Sequence, residues 1–274
     1  MILKRHDRGD DVKTLQRGLN RLGSMLLIDG DFGDSTEAAV ADARATFGLS
    51  PGKTADDALC STLAAQPDPS LELTAAGVTF IGREEIGSPS AYRKKYAHPE
   101  CPGEDSGVTI GIGYDLRFAD RDKLEADWGG VLSPTVIARL ADVCGVRCSP
   151  ARLAQVADIE VPLLDAVNVF LRRMMPEHIG RTRHIYPTLD DLPANRRAAL
   201  ISLVFNRGSD LAGPRRTEMK RVQELLQQQD FDAVPEQFRS MTRLWSAASA
   251  GGLIERRQRE ATLWESGFRS LQLD

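Results

Sequence analysis

Apolar residues near the start of the chain recur at three- and four-residue steps. Val12, Leu15, Leu19 and Leu22 form one such set, which predicts a helix from Asp11 to about Leu22, with Asp10 as its cap and Gly23 as its stop. Ala39, Val40, Ala43 and Phe47 form a second, predicting a helix from Ser35 that ends near Gly48. Leu59 and Leu63 fit a short third helix from Thr54 or Ala55 to about Ala65. Between the first two lies Asp29-Gly30-Asp31-Phe32-Gly33, a turn by composition. The pattern then breaks at Gln66-Pro67-Asp68-Pro69-Ser70, where two prolines oppose any helix and nothing apolar is offered to a core. A linker over 67–76 is expected.

From residue 77 onward the periodicity is again mostly helical. Helices are predicted over 122–128, 134–142, 150–156, 160–175, 194–205, 218–229 and 232–241, and over 253–267 as a surface helix closing the chain. One stretch differs. Gly107-Val108-Thr109-Ile110-Gly111-Ile112-Gly113-Tyr114-Asp115 alternates β-branched residues with glycine, which suits a short strand or hairpin approached closely by something else.

Composition narrows the class. The 274 residues are 42% hydrophobic and 27% charged, ordinary values for a chain that buries a core. Lysine plus arginine number 35 against 39 acidic residues, a net charge of -4, so no global positive field favours nucleic acid. No window approaches eighteen uncharged apolar residues and the N-terminus lacks an apolar signal core, so no membrane span and no signal peptide are expected. Four cysteines are too few and too dispersed for a small disulfide scaffold, which suggests assembly in a reducing compartment. Cys144 and Cys148 read as a surface turn that could oxidise outside the cytoplasm; no second pair completes a zinc site. Gly111-Ile112-Gly113 lacks the third glycine of a nucleotide loop, so no cofactor or metal is expected.

The candidate chemistry lies in two carboxylates. Glu85 falls near the end of a predicted helix and Asp115 directly follows the glycine-rich run. Two carboxylates facing one cleft can divide labour, one protonated and one ionised, as glycoside hydrolysis requires. Taken singly, Glu85 reads as a solvated helix-end carboxylate, Asp115 as an N-cap and Thr109 as a plain strand residue. Trp128, Trp245 and Trp264 read as core or rim packing, and Arg256, Arg257 and Arg259 as a solvated face.

Two resemblances join these residues. Gly9-Asp10-Asp11-Val12-Lys13-Thr14-Leu15-Gln16, Leu19 to Gly23, Asp29-Gly30-Asp31-Phe32-Gly33, Thr36, Ala39-Val40 and Phe47-Gly48-Leu49 together resemble the type-1 helical peptidoglycan-binding domain. Ala43-Arg44-Ala45-Thr46-Phe47 departs from the Phe-Gln that family more often shows. Glu85 to Tyr92, Pro102-Gly103, and Ser106 to Leu116 resemble the phage-lysozyme-like muramidases, closest to the pesticin-like branch. Further matches are Phe205-Asn206-Arg207-Gly208, Met241 to Trp245, and Gly252 to Ala261.

The resemblances imply a mainly α fold, with a three-helix peptidoglycan-binding domain over 1–66 and a lysozyme-like α+β domain with a small β lobe over 77–274. They imply a muramidase cutting the β-1,4 bond between N-acetylmuramic acid and N-acetylglucosamine. Glu85 matches the general acid, seven residues before Tyr92; that spacing selects it over Glu84. Thr109 matches the threonine that holds the attacking water. The second carboxylate matches Asp115 in the pesticin-like order and falls near Glu104 and Asp105 in the ordinary one, with Asp115 preferred because Tyr114-Asp115-Leu116 continues the motif without a gap. Tyr92, Gly111, Gly113, Tyr114 and Asn206 are the implied glycan contacts, with Asp29 and Gly30 those of the N-terminal domain.

The implied partner is peptidoglycan, for a monomer made in a bacterial cytoplasm and acting in the periplasm. A phage endolysin would depend on a holin; an injected antibacterial effector would need an immunity protein. A non-catalytic wall-binding protein on the same scaffold is the further alternative, and a stem-peptide amidase is disfavoured by the missing zinc or Cys-His set.

Overall fold

The computed structural model describes residues 2–103 and 105–266. It is mainly α-helical with one small antiparallel sheet, as expected. The first helices are α1 (Asp10–Arg21), α2 (Asp34–Thr46), α3 (Asp57–Ala64), α4 (Ala75–Ile86) and the single turn α5 (Pro89–Ala91). Strands β1 (Thr109–Ile110) and β2 (Tyr114–Asp115) come next, before α6 (Arg121–Trp128), α7 (Pro134–Ala141), α8 (Pro150–Ala154) and α9 (Leu163–Val169). The chain closes with α10 (Met175–Ile185), α11 (Ala194–Arg207), α12 (Thr217–Gln227), α13 (Val234–Ser240) and α14 (Ala247–Glu265). Two compact units result, Met1–Pro69 with Glu85–Met175, and Ser70–Glu84 with Pro176–Asp274.

The first unit begins with a bundle of α1, α2 and α3. Val12, Leu15, Leu19, Val40, Leu59 and Leu63 meet in its core around Phe32, so the apolar steps of the sequence face inward. Asp10 does not cap α1; it is the first helical residue, after Gly9 at φ 118°, and its carboxylate lies 3.6 Å from Lys13 Nζ. There it still favours the positive end of the helix. The third helix starts later than expected because the Asp56 side chain accepts from the Leu59 N–H at 2.9 Å, which fixes the cap. Ala55 instead pairs with Leu3 in an antiparallel bridge.

Serine followed by proline opens α5, α7 and α8: Ser88, Ser133 and Ser149 each accept a backbone N–H three residues on. The helix predicted over 160–175 starts only at Leu163, after Pro162, and continues through a π-helical turn at Phe170–Met174 into α10. The cysteine reading is also corrected. Cys148 is bonded to Cys101 and Cys144 is a free thiol, so the oxidised pair ties the loop before β1 to the segment before α8.

In the second unit α11 and α13 pack on α14, and α12 packs on α13. Leu200, Ile201, Leu203, Val222, Phe238, Leu263 and Trp264 are buried there. The closing helix predicted over 253–267 begins at Ala247, bends at Ala250 before two glycines, and is not a surface helix. Gly267 lies outside the described residues. Arg256, Arg257 and Glu260 are buried, not solvated, where α14 packs on α11. Glu260 Oε1 accepts from Ser202 Oγ at 2.6 Å, Arg257 Nη2 at 2.8 Å and Arg256 Nε at 3.2 Å. Arg256 Nη2 also donates to the Ser202 carbonyl at 3.0 Å. Among the described residues no helix is long and apolar enough to cross a membrane.

Candidate active site

Glu85 occupies the last turn of α4, half-buried, and Gly87 at φ +72° ends the helix just beyond it. Its neighbour Glu84 is committed elsewhere: both carboxylate oxygens accept from Arg259, at 2.6 and 2.9 Å.

The glycine-rich run forms a hairpin in which Thr109 pairs with Asp115 and Ile110 with Tyr114. Directly opposed residues of an antiparallel pair project to the same face, so Thr109 and Asp115 share one side. The connecting turn needs its glycines. Gly111 and Gly113 have φ of +61° and +74°, and a Cβ on Gly111 would stand 2.9 Å from the Trp128 ring. A Cβ on Gly113 would stand 3.8 Å from Glu85 Oε2. Gly113 is exposed and Gly111 is buried, so only the former offers backbone to a ligand.

Asp115 has a structural task besides. Its Oδ1 accepts from the Gly107 and Arg117 N–H groups, both at 2.9 Å, and it caps the 3-10 turn Leu116–Phe118. Thr109 is buried, and its hydroxyl donates to the Gly107 carbonyl at 3.5 Å. Asp105 is 83% exposed and pairs with Arg147 at 2.9 Å. Glu104 lies outside the described residues.

Three implied contacts sit deeper than a ligand contact requires. Tyr92 is fully buried and its hydroxyl donates to the Val161 carbonyl at 2.9 Å; burial pushes its phenol above the usual range. Tyr114 is buried edge-on against Trp128, with its hydroxyl on Asp127 at 2.8 Å. Tyr114 and Gly111 both meet the Trp128 ring, and Tyr92 is anchored on Val161. In the N-terminal bundle, Gln16 Nε2 donates to Asp29 Oδ1 at 2.8 Å while its Oε1 accepts from the Gly30 N–H at 3.0 Å. Asp29 is exposed, whereas Gly30 is buried at φ +75°. Asn206 belongs to the second unit, where it is exposed at the end of α11 and accepts from Arg257 at 3.3 Å.

Two residues beside the hairpin have no signal in the local sequence. Glu100 forms a bridge with Thr109, exchanging N–H···O bonds of 2.9 and 3.0 Å, which extends the row to Glu100, Thr109 and Asp115. Burial raises its carboxyl, with Lys95 acting in the opposite sense. Phe118, three residues after Asp115, is 74% exposed, with the Arg117 guanidinium 5.6 Å from its ring centre. Among the described residues no group of three His, Cys, Asp or Glu side chains is placed to hold a metal ion.

Residues 8–58, which span most of the N-terminal bundle, match a family described as a putative peptidoglycan binding domain. No curated protein matches the chain. Solved structures do, among them the crystal structure of Burkholderia AP3 phage endolysin, 18% identical. That match covers 97% of this chain and 99% of the other, with a TM-score of 0.23, too low to carry a likeness of fold.

Proposed function

We propose that the chain is a peptidoglycan hydrolase of the muramidase type, anchored to its polymer by the N-terminal bundle and suited to host lysis as a phage endolysin. The observation that carries the reading is the Glu85 carboxylate beside side-chain-free Gly113, on a hairpin that bears Thr109 and Asp115 on one face. Glu85 donates a proton to the bridging glycosidic oxygen. Thr109 and Asp115 position and polarise the incoming water, and the exposed Gly113 lets a sugar approach the backbone. Asp115 is preferred to Asp105 as the second carboxylate because it sits on the hairpin, while Asp105 points into solvent toward Arg147. Tyr92, Gly111 and Tyr114 support the site without touching glycan. The catalytic body is taken as 77–274 and the binding domain as 1–66.

The test is hydrolysis of purified peptidoglycan by the full chain and by Glu85→Gln. Loss of a general acid costs about 100- to 10,000-fold in rate, so turnover should collapse to that extent. Undiminished turnover removes Glu85 from its role. Mass analysis of the released fragments separates the chemistries: new reducing sugar ends accompany glycan cleavage, and free peptides accompany amidase action.

The capping role of Asp115 favours a second reading, a wall-binding protein without activity. Sedimentation with peptidoglycan and no release of reducing ends would select it.

A further inference from the structure

A small cavity of about 140 Å3 lies in the first unit, between the end of α6 and the stretch where α9 passes into the π-helical turn Phe170–Met174. Asp127 lines it from the α6 side, and Asn168, Val169, Arg172 and Arg173 from the other. Residues four apart share a helix face, which brings Arg172 beside Asn168 and Arg173 beside Val169. Liquid water takes about 30 Å3 per molecule, so the space suits about five heavy atoms. A tetrahedral oxyanion has that size.

The polar groups around the cavity have bonding capacity to spare. The Asp127 side chain is only 9% exposed. The Tyr114 hydroxyl, at 2.8 Å, and the Lys123 ammonium, at 3.0 Å, both meet its Oδ2, and no described residue hydrogen-bonds its Oδ1. The side chains of Asn168, Arg172 and Arg173 form no hydrogen bond or ion pair with any described residue. Lys123 offsets the charge of Asp127, so the two guanidinium groups leave the wall positive. A nearly buried carboxylate oxygen without a donor is unfavourable, and a ligand that brings a proton relieves it.

This set of donors and acceptor selects one kind of ion. Arg172, Arg173 and Asn168 offer N–H groups to the oxygens of an anion, whereas Asp127 Oδ1 calls for a proton on the ligand. Hydrogen phosphate meets both demands, because its bare oxygens accept and its P–OH donates. Sulfate has the same shape without the proton, and an ionised carboxylate lacks one too, so either would set lone pairs against Oδ1.

We propose that this cavity binds a protonated phosphate group, with Arg172, Arg173 and Asn168 as donors and Asp127 as the acceptor that distinguishes phosphate from sulfate. Asp127 also accepts from Tyr114 of β2, whose ring stands edge-on to Trp128, so occupancy is felt at the strand next to Asp115. Binding is measured without turnover and stands apart from the hydrolytic reading.

The experiment titrates the full chain with inorganic phosphate, sulfate and methyl phosphate, read by calorimetry and by the indole NMR signal of Trp128. The pH is set at about 6, near the second pKa of phosphate esters, so that every phosphate retains a proton in part. The expected result is saturable one-to-one phosphate binding that shifts the Trp128 indole, with sulfate weaker by about tenfold or more. Arg172→Gln and Arg173→Gln, at exposed positions, should each weaken phosphate by about tenfold or more. Asp127→Asn, which exchanges the acceptor oxygen's charge for an amide able to donate, should weaken phosphate and remove the preference over sulfate. Methyl phosphate identifies the source: affinity matching that of the free ion assigns the site to an ester carried by a larger molecule, and a clear loss assigns it to inorganic phosphate. Both outcomes uphold the site. Absence of saturable phosphate binding, equal affinity of the parent for sulfate, or unaltered phosphate affinity in both arginine variants would overturn the assignment. If Asp127→Asn does not fold, the sulfate titration and the arginine variants decide.

Discussion

The N-terminal bundle and the second unit bury polar atoms in opposite ways. In the bundle the buried groups are mostly neutral amides tied to nearby backbone: Asn20 exchanges bonds of 2.9 and 2.7 Å with Leu26, and Gln16 holds the Asp29–Gly30 turn. Arg44, a buried cation there, reaches the Ser50 and Thr54 carbonyls and Asp56, all within twelve residues. In the second unit, complete charges are enclosed, and the Ser202 that links them lies 54 to 58 residues away along the chain. A short-range polar tie can be replaced by water at modest cost. A buried ion loses far more, because its partner's charge is left without compensation in a medium that solvates it poorly.

The sharpest way to break the contrast is Glu260→Ala. Removing the acid that joins Arg256 and Arg257 takes a shared carboxylate from two buried cations and should destabilise the second unit by about 3–5 kcal/mol, read by denaturant unfolding of the full chain. A loss below 1 kcal/mol would mean that the cluster is hydrated and that the two regions do not differ in kind.

The next effect depends on pH. Burial, aided by Arg181, lowers His178 from 6.5 to about 4, and the ring packs 4.1 Å from Phe205 between centres. The unfolded chain binds the proton first, so the contribution of His178 to stability is present above about pH 6.5 and is lost as pH falls toward 4. The span corresponds to about 3 kcal/mol. His178→Phe should flatten the acid limb of the stability curve; an unaltered limb would assign it to other groups.

The smallest effect belongs to the bundle. A Cβ on Gly30 would lie 3.0 Å from the Gly9 carbonyl oxygen at a φ of +75°, so Gly30→Ala should cost about 1–2 kcal/mol and weaken peptidoglycan sedimentation in step. Full wall binding with that loss of stability would separate the turn's structural role from ligand contact.

The same contrast explains what could be read from residue order. Val12, Leu15 and Leu19 mark the inner face of α1 by spacing alone, and Ser88, Ser133 and Ser149 before proline mark helix starts. The Gly111-Ile112-Gly113 turn is legible because glycine best suits the two left-handed positions that flank Ile112. Illegible features were those whose partners come from afar. Arg256 and Arg257 look like a wetted stripe until α11 supplies Ser202. Glu100 gains its place only by pairing with Thr109, and Cys148 bonds Cys101 across 47 residues, not its near neighbour Cys144. Tyr92 carries a recognisable spacing to Glu85, but spacing does not say whether a ring meets ligand or core; its hydroxyl on Val161 answers that.

The Cys101–Cys148 bond has a mechanical consequence. It closes a covalent ring that contains both strands, α6 and α7. In the chain-entropy view, a ring of this size withdraws about 4 kcal/mol of freedom from the denatured chain. A protease that nicks the backbone once within the ring also leaves both fragments tethered. The lobe that carries the hairpin is therefore built to survive a single cut.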